Sequence, residues 1–244
     1  MIKRIICVSL SFFPFFKSAY SQEHTLSLES TPFIAIGYAN ESPQYVREYY
    51  DNILDNYRSY GIPIPTQVEF GRTISVNGGI LFSWLTDAAI GFSLGYSYSP
   101  AYSNYEDYSG TLEVNGSTSE LDMCIKGQLT ITKMSAFQLD LNVQAGVFRG
   151  TALITQALHY PDNPNFNYDG KWSASAWGPF SQVTLGFPFH FGDYTVSFDG
   201  GYRYSSGQVT GQTIASGEGN STTDYHWDIG ESGFVFLVSC GLKL

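Results

Sequence analysis

From residue 70 to the C-terminus, apolar and polar side chains alternate with a period of two in one segment after another. Successive side chains of an extended strand point to opposite faces, so this periodicity marks strands with two unlike faces. Ile74, Val76, Ile80, Phe82 and Trp84 oppose Thr73, Ser75, Asn77 and Ser83; Ile90, Phe92, Leu94, Tyr96 and Tyr98 oppose Gly91, Ser93, Gly95 and Ser97. The pattern recurs at Leu121–Ile131, Phe137–Val147, Trp177–Phe189, Tyr194–Tyr204 and Phe234–Leu244, and an eighth strand is expected at Pro32–Ala39. Pro32 lacks an N–H and confines that strand's hydrogen-bonded part to its downstream side. Short connections fall at Leu85-Thr86-Asp87, Thr132–Ser135 and His190–Asp193, and long ones at about 40–68, 100–118, 150–175 and 206–230. Short turns at one end and long loops at the other describe an up-and-down antiparallel barrel.

Composition narrows the setting. Of 244 residues, 43% are hydrophobic, 16% aromatic and only 14% charged, where an ordinary soluble domain carries about a quarter charged residues. A formal net charge of −10 excludes a nucleic-acid binder, which needs a basic surface. Beyond the first 21 residues no apolar run reaches the roughly 20 residues of a spanning helix. At the N-terminus, Lys3 and Arg4 precede the apolar stretch Ile5–Phe16, and Ala19-Tyr20-Ser21 supplies small residues at a cleavage site before Gln22. Residues 1–21 therefore read as a secretory signal peptide and 22–244 as one barrel domain. Cys7 leaves with the signal; Cys124 and Cys240 fall on opposite strand faces and are not expected to pair.

Alternation alone does not say which face meets lipid. The polar face consists mostly of Ser, Thr, Gly, Asn and Gln with few charges, too sparse to solubilise an exterior but suited to the narrow interior of eight strands. Aromatic residues with apolar-face parity cluster at strand ends. Phe82, Trp84, Phe137, Phe187, Phe189 and Tyr194 flank the short turns, and Phe70, Tyr96, Tyr98, Trp177, Tyr202 and Tyr204 flank the long loops. Amphipathic rings prefer the headgroup level, so these are expected to form the two girdles of a transmembrane barrel. Arg72 and Arg149, the charged residues of apolar-face parity, lie at loop-side ends, where a long side chain can snorkel to headgroups.

On these features the chain resembles the small outer-membrane barrels of Gram-negative bacteria, the OmpA-like and OmpX-like families, from the signal through the closing strand Phe234–Leu244. The resemblance implies an outer-membrane location and a last strand read by the barrel-assembly machinery. Such strands usually end in an aromatic residue, and Leu244 departs from that.

The polar faces contribute Glu120, Asp122, Lys126, Asp140, Asp199, Arg203 and Lys243, which read as a paired charge network filling the lumen, since buried charges are tolerable only when paired and hydrogen-bonded. In the first long loop, Ser42 caps, Pro43 suits the first helical position, and Gly61 and Pro63 stop a helix whose Val46, Tyr49, Ile53 and Tyr57 form one apolar stripe. That helix is expected to pack on the barrel's own loops, with a partner or lipid as the alternative. His159 and His226, the latter near Asp224 and Asp228, are the loop candidates for a lipid-modifying enzyme, though no spacing identifies a nucleophile; His24 and His190 suggest no site. No Cys or His pair has ligand spacing, so no cofactor or metal is expected. The acidic loop residues Glu106, Asp107, Glu113, Asp162 and Asp169 could meet divalent cations with lipopolysaccharide.

The expectation is thus an all-β, eight-stranded transmembrane barrel with one short helix in its first long loop, multi-pass in a bacterial outer membrane. Its function reads as non-enzymatic, structural or adhesive, through outward-facing loops that contact an extracellular ligand, a protein partner or envelope lipid; a lipid hydrolase or acyltransferase and a narrow porin-like pore are the rivals. N-terminal sequencing of the exported protein is expected to begin at Gln22, and retention of Met1 would refute the signal assignment.

Overall fold

The structure is a computed structural model and describes residues 29–41, 51–52, 54–55, 58–59, 69–70, 72–107, 110–134, 137–162, 164–216, 219–222 and 228–244. The signal segment, His24 and His226 lie outside these residues. The strands in chain order are β1 (Glu29–Glu41), β2 (Glu69–Phe70), β3 (Thr73–Leu85), β4 (Ala88–Asp107), β5 (Gly110–Met134), β6 (Phe137–His159), β7 (Tyr168–Phe191), β8 (Tyr194–Ser205), β9 (Gly207–Ser216), β10 (Gly219–Thr222), β11 (Asp228–Ile229) and β12 (Ser232–Leu242). Eight of them close a ring. β1 pairs β3, pairing continues neighbour to neighbour from β3 to β8, β8 pairs β12, and β12 returns to β1, every pair antiparallel. The expected strand count therefore holds.

Pro32 shapes the seam. On its β12 side, β1 enters register only at Phe33, opposite Gly241, whereas on the β3 side pairing runs back through Pro32 to Glu29. The short turn after β7 passes through Gly192 at φ 64°, a left-handed conformation that glycine adopts without penalty.

The exterior is apolar. Ile36, Ile74, Phe92, Leu94, Met123, Val147, Val183, Phe198, Phe236 and Val238 all point outward, with Phe92 64% exposed. On β5 this belt runs from Leu121 to Ile131; at about 3.3 Å per residue and a tilt of about 40°, that span is about 25 Å, the height of a barrel's lipid-facing band. The opposite parity, Ser75, Asn77, Ser93, Ser97, Gln144, Gln182 and Thr184, is buried in the lumen. Polar-in and apolar-out reverses the order of a water-soluble barrel. Free cysteines Cys124 and Cys240 lie on opposite faces, one buried and one exposed.

Above the belt the order inverts within the same strands. On β5, outward Leu121, Met123 and Ile125 give way to outward Glu113 and Asn115, and inward Glu120 and Asp122 give way to buried Leu112 and Val114. On β6, Ala152 and Ile154 turn inward beyond Phe148, and on β7, Ala174 and Ala176 do so beyond Phe180. The segments 100–118 and 150–175, expected as long loops, are therefore largely strand: β4 and β5 meet near Asp107 and Gly110, and β6 and β7 near His159 and Tyr168. The physical reason is a change of solvent outside the wall, which flips the sign of the alternation while its period persists. β9 continues this upper wall beside β7, flanked by β10 and β11.

The upper chamber is sealed by apolar packing. Leu112, Val114, Ala152, Ile154, Ala174, Ala176, Val209 and Ile229 form one buried cluster with Leu54 of the first loop. The described residues of that loop, Asp51, Asn52, Leu54, Asp55, Arg58 and Ser59, are helical. Leu54 is 1% exposed, so this helix covers the barrel mouth from within. The expected stripe residues Val46, Tyr49, Ile53 and Tyr57 lie outside the described residues. Substituting Phe92→Arg is expected to destabilise the barrel by about 2–4 kcal/mol in lipid vesicles, the cost of a cation at mid-bilayer depth on the lipid face, measured by denaturant unfolding; no change would contradict the lipid-facing assignment.

Candidate functional site

The inner face of β4 carries only small residues at belt depth: Gly91, Ser93, Gly95 and Ser97. A Cβ at Gly95 would overlap Asn77 Oδ1 and the Asp122 carboxylate, so this position has room for no side chain. The space is filled from the facing arc. Arg203 on β8 sends Nη2 to within 2.7 Å of Glu120 Oε2 and 3.7 Å of Asp122 Oδ2, with its guanidinium 4.8 Å from the Phe180 ring centroid. Ser205 Oγ lies 2.9 Å from Glu120 Oε1.

Glu231, in the short segment between β11 and β12, completes this layer. Its Oε1 accepts from Thr118 Oγ1 at 2.8 Å and its Oε2 from Ser97 Oγ at 3.1 Å. Its backbone N–H donates to Ser205 Oγ at 2.7 Å. Glu120, Asp122, Arg203 and Glu231 are each at most 1% exposed. Glu120 and Asp122 on β5 thus face the one guanidinium of β8, and Glu231 is tied to the same layer through Ser205, Thr118 and Ser97, a cross-brace over the lumen. Glu231 was not among the expected lumen residues. Its signal was present, because residues 231, 235 and 237 share one parity, and Val235 and Leu237 also point inward.

A second tier lies toward the short turns. Asp199 Oδ1 accepts from Asn142 Nδ2 at 3.0 Å and Ser197 Oγ at 3.1 Å, and its Oδ2 from Ser239 Oγ at 3.3 Å. Asp140 accepts from Gln128 Nε2 at 2.6 Å, Thr130 Oγ1 at 2.9 Å and Gln138 Nε2 at 3.0 Å. Lys126, 8% exposed, places Nζ 4.1 Å from the Phe33 ring centroid. Below it the lumen opens at the turn end into a vestibule of about 370 Å³, bordered by Phe33, Leu81, Gln128, Asn142, Thr195 and Ser239 among others. Lys243 departs from the expected lumen network. It stands at the rim of this opening, more than half exposed, with Nζ 2.8 Å from Glu29 Oε2, because β12 ends one residue earlier and the side chain reaches water there.

The aromatic positions flank the belt. Phe137, Phe187, Phe189 and Tyr194 are exposed toward the short turns, Phe82 is half-buried, and Tyr96, Tyr98, Trp177, Tyr202 and Tyr204 are exposed toward the loops. The side chains of Trp84 and Phe70 lie outside the described residues. Arg149 stacks 5.9 Å from the Trp177 centroid and Arg72 5.6 Å from that of Tyr38. Of the histidines, His159 Nδ1 sits 3.0 Å from Asn167 Nδ2 at the exposed end of β6, and His190 bridges Thr195 and Gln138 at the turn rim. Among the described residues neither touches a carboxylate. Glu106, Glu113, Asp162 and Asp169 point outward and are spread along the upper wall and its tips, not gathered at one place, and Asp107 ends β4. Among the described residues no group of three His, Cys, Asp or Glu side chains is arranged to hold a metal ion.

No protein family matches the chain, and no curated protein matches it. Among solved structures, Ail, the attachment invasion locus protein of Yersinia pestis, is similar at 9% identity and a TM-score of 0.42, over 89% of this chain and 99% of that one. The outer membrane protein AlkL is similar at 12% identity and a TM-score of 0.38, over 92% and 93%. The outer membrane protease OmpT from Escherichia coli is similar at 11% identity and a TM-score of 0.39, over 90% and 98%. At these scores nothing about function follows from the likeness, and the resemblance to OmpA-like and OmpX-like barrels stays one of architecture.

Arg203→Met strips the charged layer of its cation and is expected to destabilise the barrel by about 3–5 kcal/mol, because it leaves carboxylates buried without a partner. Arg203→Met combined with Glu120→Gln is expected to recover part of that loss. Denaturant unfolding of both variants checks the coupling, and additive losses would contradict it.

Proposed function

We propose that this chain is a bacterial outer-membrane barrel that works by contact rather than by transport or catalysis, holding an outward β-wall at the cell surface for adhesion or for binding an envelope or extracellular partner. One observation carries the reading: the lumen is filled at two successive levels while the wall continues past the lipid belt. The Glu120–Arg203–Glu231 layer and the apolar cluster around Leu54 and Ile154 follow one another along the axis. A polar outer surface then rises on β5, β6 and β7, with Glu113, Asn115, Thr155, Asp169 and Lys171 facing water.

Buried side chains at two depths favour a contact role over a conducting one, since both layers lie across the path an ion would take. A hydrolase or acyltransferase needs a base within reach of a nucleophile and an orienting acid; His159 pairs with an amide instead, and His226 lies outside the described residues. At the loop-side edge of the belt the outward cations Arg72 and Arg149 suit the phosphates of outer-leaflet lipid such as lipopolysaccharide, which guanidinium groups bind bidentately. In β12 the outward alternation of Phe234, Phe236 and Val238 is the feature the barrel-assembly machinery would read.

The test uses the full chain expressed in a Gram-negative host. Replacing Glu113, Asn115, Asp169 and Lys171 together by alanine is expected to leave heat-modifiable gel mobility intact and to lower cell adhesion to immobilised matrix severalfold. The unaltered protein in planar bilayers is expected to be electrically silent. Unchanged adhesion, or discrete conductance steps, would overturn the proposal.

A further inference from the structure

The vestibule at the short-turn end is built like a binding site and plays no part in the contact role proposed above. Its acceptors and donors are unevenly matched. The Asp199 carboxylate is already held by Asn142, Ser197 and Ser239, all neutral donors. Asp140 is likewise held by Gln128, Thr130 and Gln138. Lys126, buried at the floor, makes no hydrogen bond and no close ion pair among the described residues; its contact is the Phe33 ring. An ammonium carries three N–H donors, and Lys126 borders the open vestibule, where those donors can reach a guest. The floor therefore presents donors to whatever enters.

The chemistry of the walls limits what that is. Four carboxylates (Glu29, Asp87, Asp193, Asp199) and three ammonium groups (Lys126, Lys133, Lys243) border the space, so a strongly charged guest gains little overall, and an anion at Lys126 would also face Asp199. The remaining border mixes hydroxyls and amides, such as Thr195, Ser239 and Asn142, with the apolar Phe33, Leu81 and Pro188. A neutral polyol matches this set, because each of its hydroxyls both donates and accepts while its C–H faces are apolar. A cavity of about 370 Å³ lies within the usual range for small-molecule sites.

We propose that the vestibule binds one neutral sugar unit of a glycan at the short-turn side of the membrane, with Lys126 donating to a ring or acetamido oxygen. The floor and walls of the site are rigid, since Lys126, Asp140, Asn142, Thr195, Asp199 and Ser239 stand on the barrel strands β5, β6, β8 and β12, while Asp87, Asp193 and Lys243 stand at the rim beyond the strand ends.

The test is a nuclear magnetic resonance titration of the full barrel in detergent micelles with N-acetylglucosamine, with sodium phosphate and sodium acetate as separate arms. Saturable amide shifts confined to the neighbourhood of Lys126, Asn142, Thr195 and Ser239 are expected with the sugar alone. Lys126→Met is expected to weaken that binding about tenfold or more, the loss of one hydrogen bond to a charged donor. Should that variant fail to fold, Ala89→Leu, which narrows the vestibule without removing a polar group, is expected to abolish the same shifts. Scattered or absent shifts, equal shifts with phosphate or acetate, or full binding by Lys126→Met or Ala89→Leu would each overturn the proposal.

Discussion

Hydrocarbon offers no hydrogen bonds, and that constraint governs the whole molecule. Each backbone N–H and C=O at belt depth must find its partner within the protein, so an extended chain can cross lipid only as a closed ring. The pairing of β12 with both β1 and β8 supplies the closure. Once eight strands close, the interior is narrow, and its contents are dictated by volume. The glycines and serines of β4 face the long side chains of Arg203, Glu120 and Asp122 because two large residues cannot occupy the same section of so thin a cylinder.

The same strands serve two solvents. At belt depth lipid selects the outward residues, and the inward ones must satisfy one another, which the charged layer does with buried hydroxyls and a single guanidinium. Beyond the belt water lies outside, and the ordinary logic of a soluble protein returns, with Val114, Ile154 and Ile229 inside and Asn115 and Lys171 outside. Phe148 and Phe180 mark the crossover from within, buried between the Arg203 layer and the apolar chamber. Trp177 and Arg149 mark it from outside. The chain thus carries its own record of where the bilayer ends.

Much of the barrel was legible because period two is a direct image of the pleat. Strand number and the division of each strand into two faces follow from it; the outward direction of Phe92, Val238 and the loop-side tyrosines follows only with the sparse charge of the polar face and the aromatic strand ends. What stayed hidden shares a cause: a parity reading assigns a face by chemical type, and it fails where type and face part company. Glu231, Phe33 and Leu237 have lumen parity without the marks of it, the first lying outside the alternating segments and the others being apolar side chains in a polar interior. The strand extensions of β4–β7 read as loops in sequence because their alternation changes sign. Lys243 has lumen parity, yet stands past the end of its strand, where depth and not parity decides exposure. Leu54 was beyond reach for a different reason, since nothing local in a surface helix says which turn the distant β5, β6 and β11 will receive.

The seam also has a kinetic meaning. Phe33 opposes Gly241, and Leu244 N donates to Ser30 O at 2.9 Å, so the first strand of the wall meets the last. A chain that lacks β12 cannot complete the cylinder, however much of the rest has been made. Until β12 arrives, two long rows of backbone groups remain unpaired, an invitation to mispairing with other extended chains. Contacts so remote in sequence form slowly, which makes the β1–β12 seam the late step of closure.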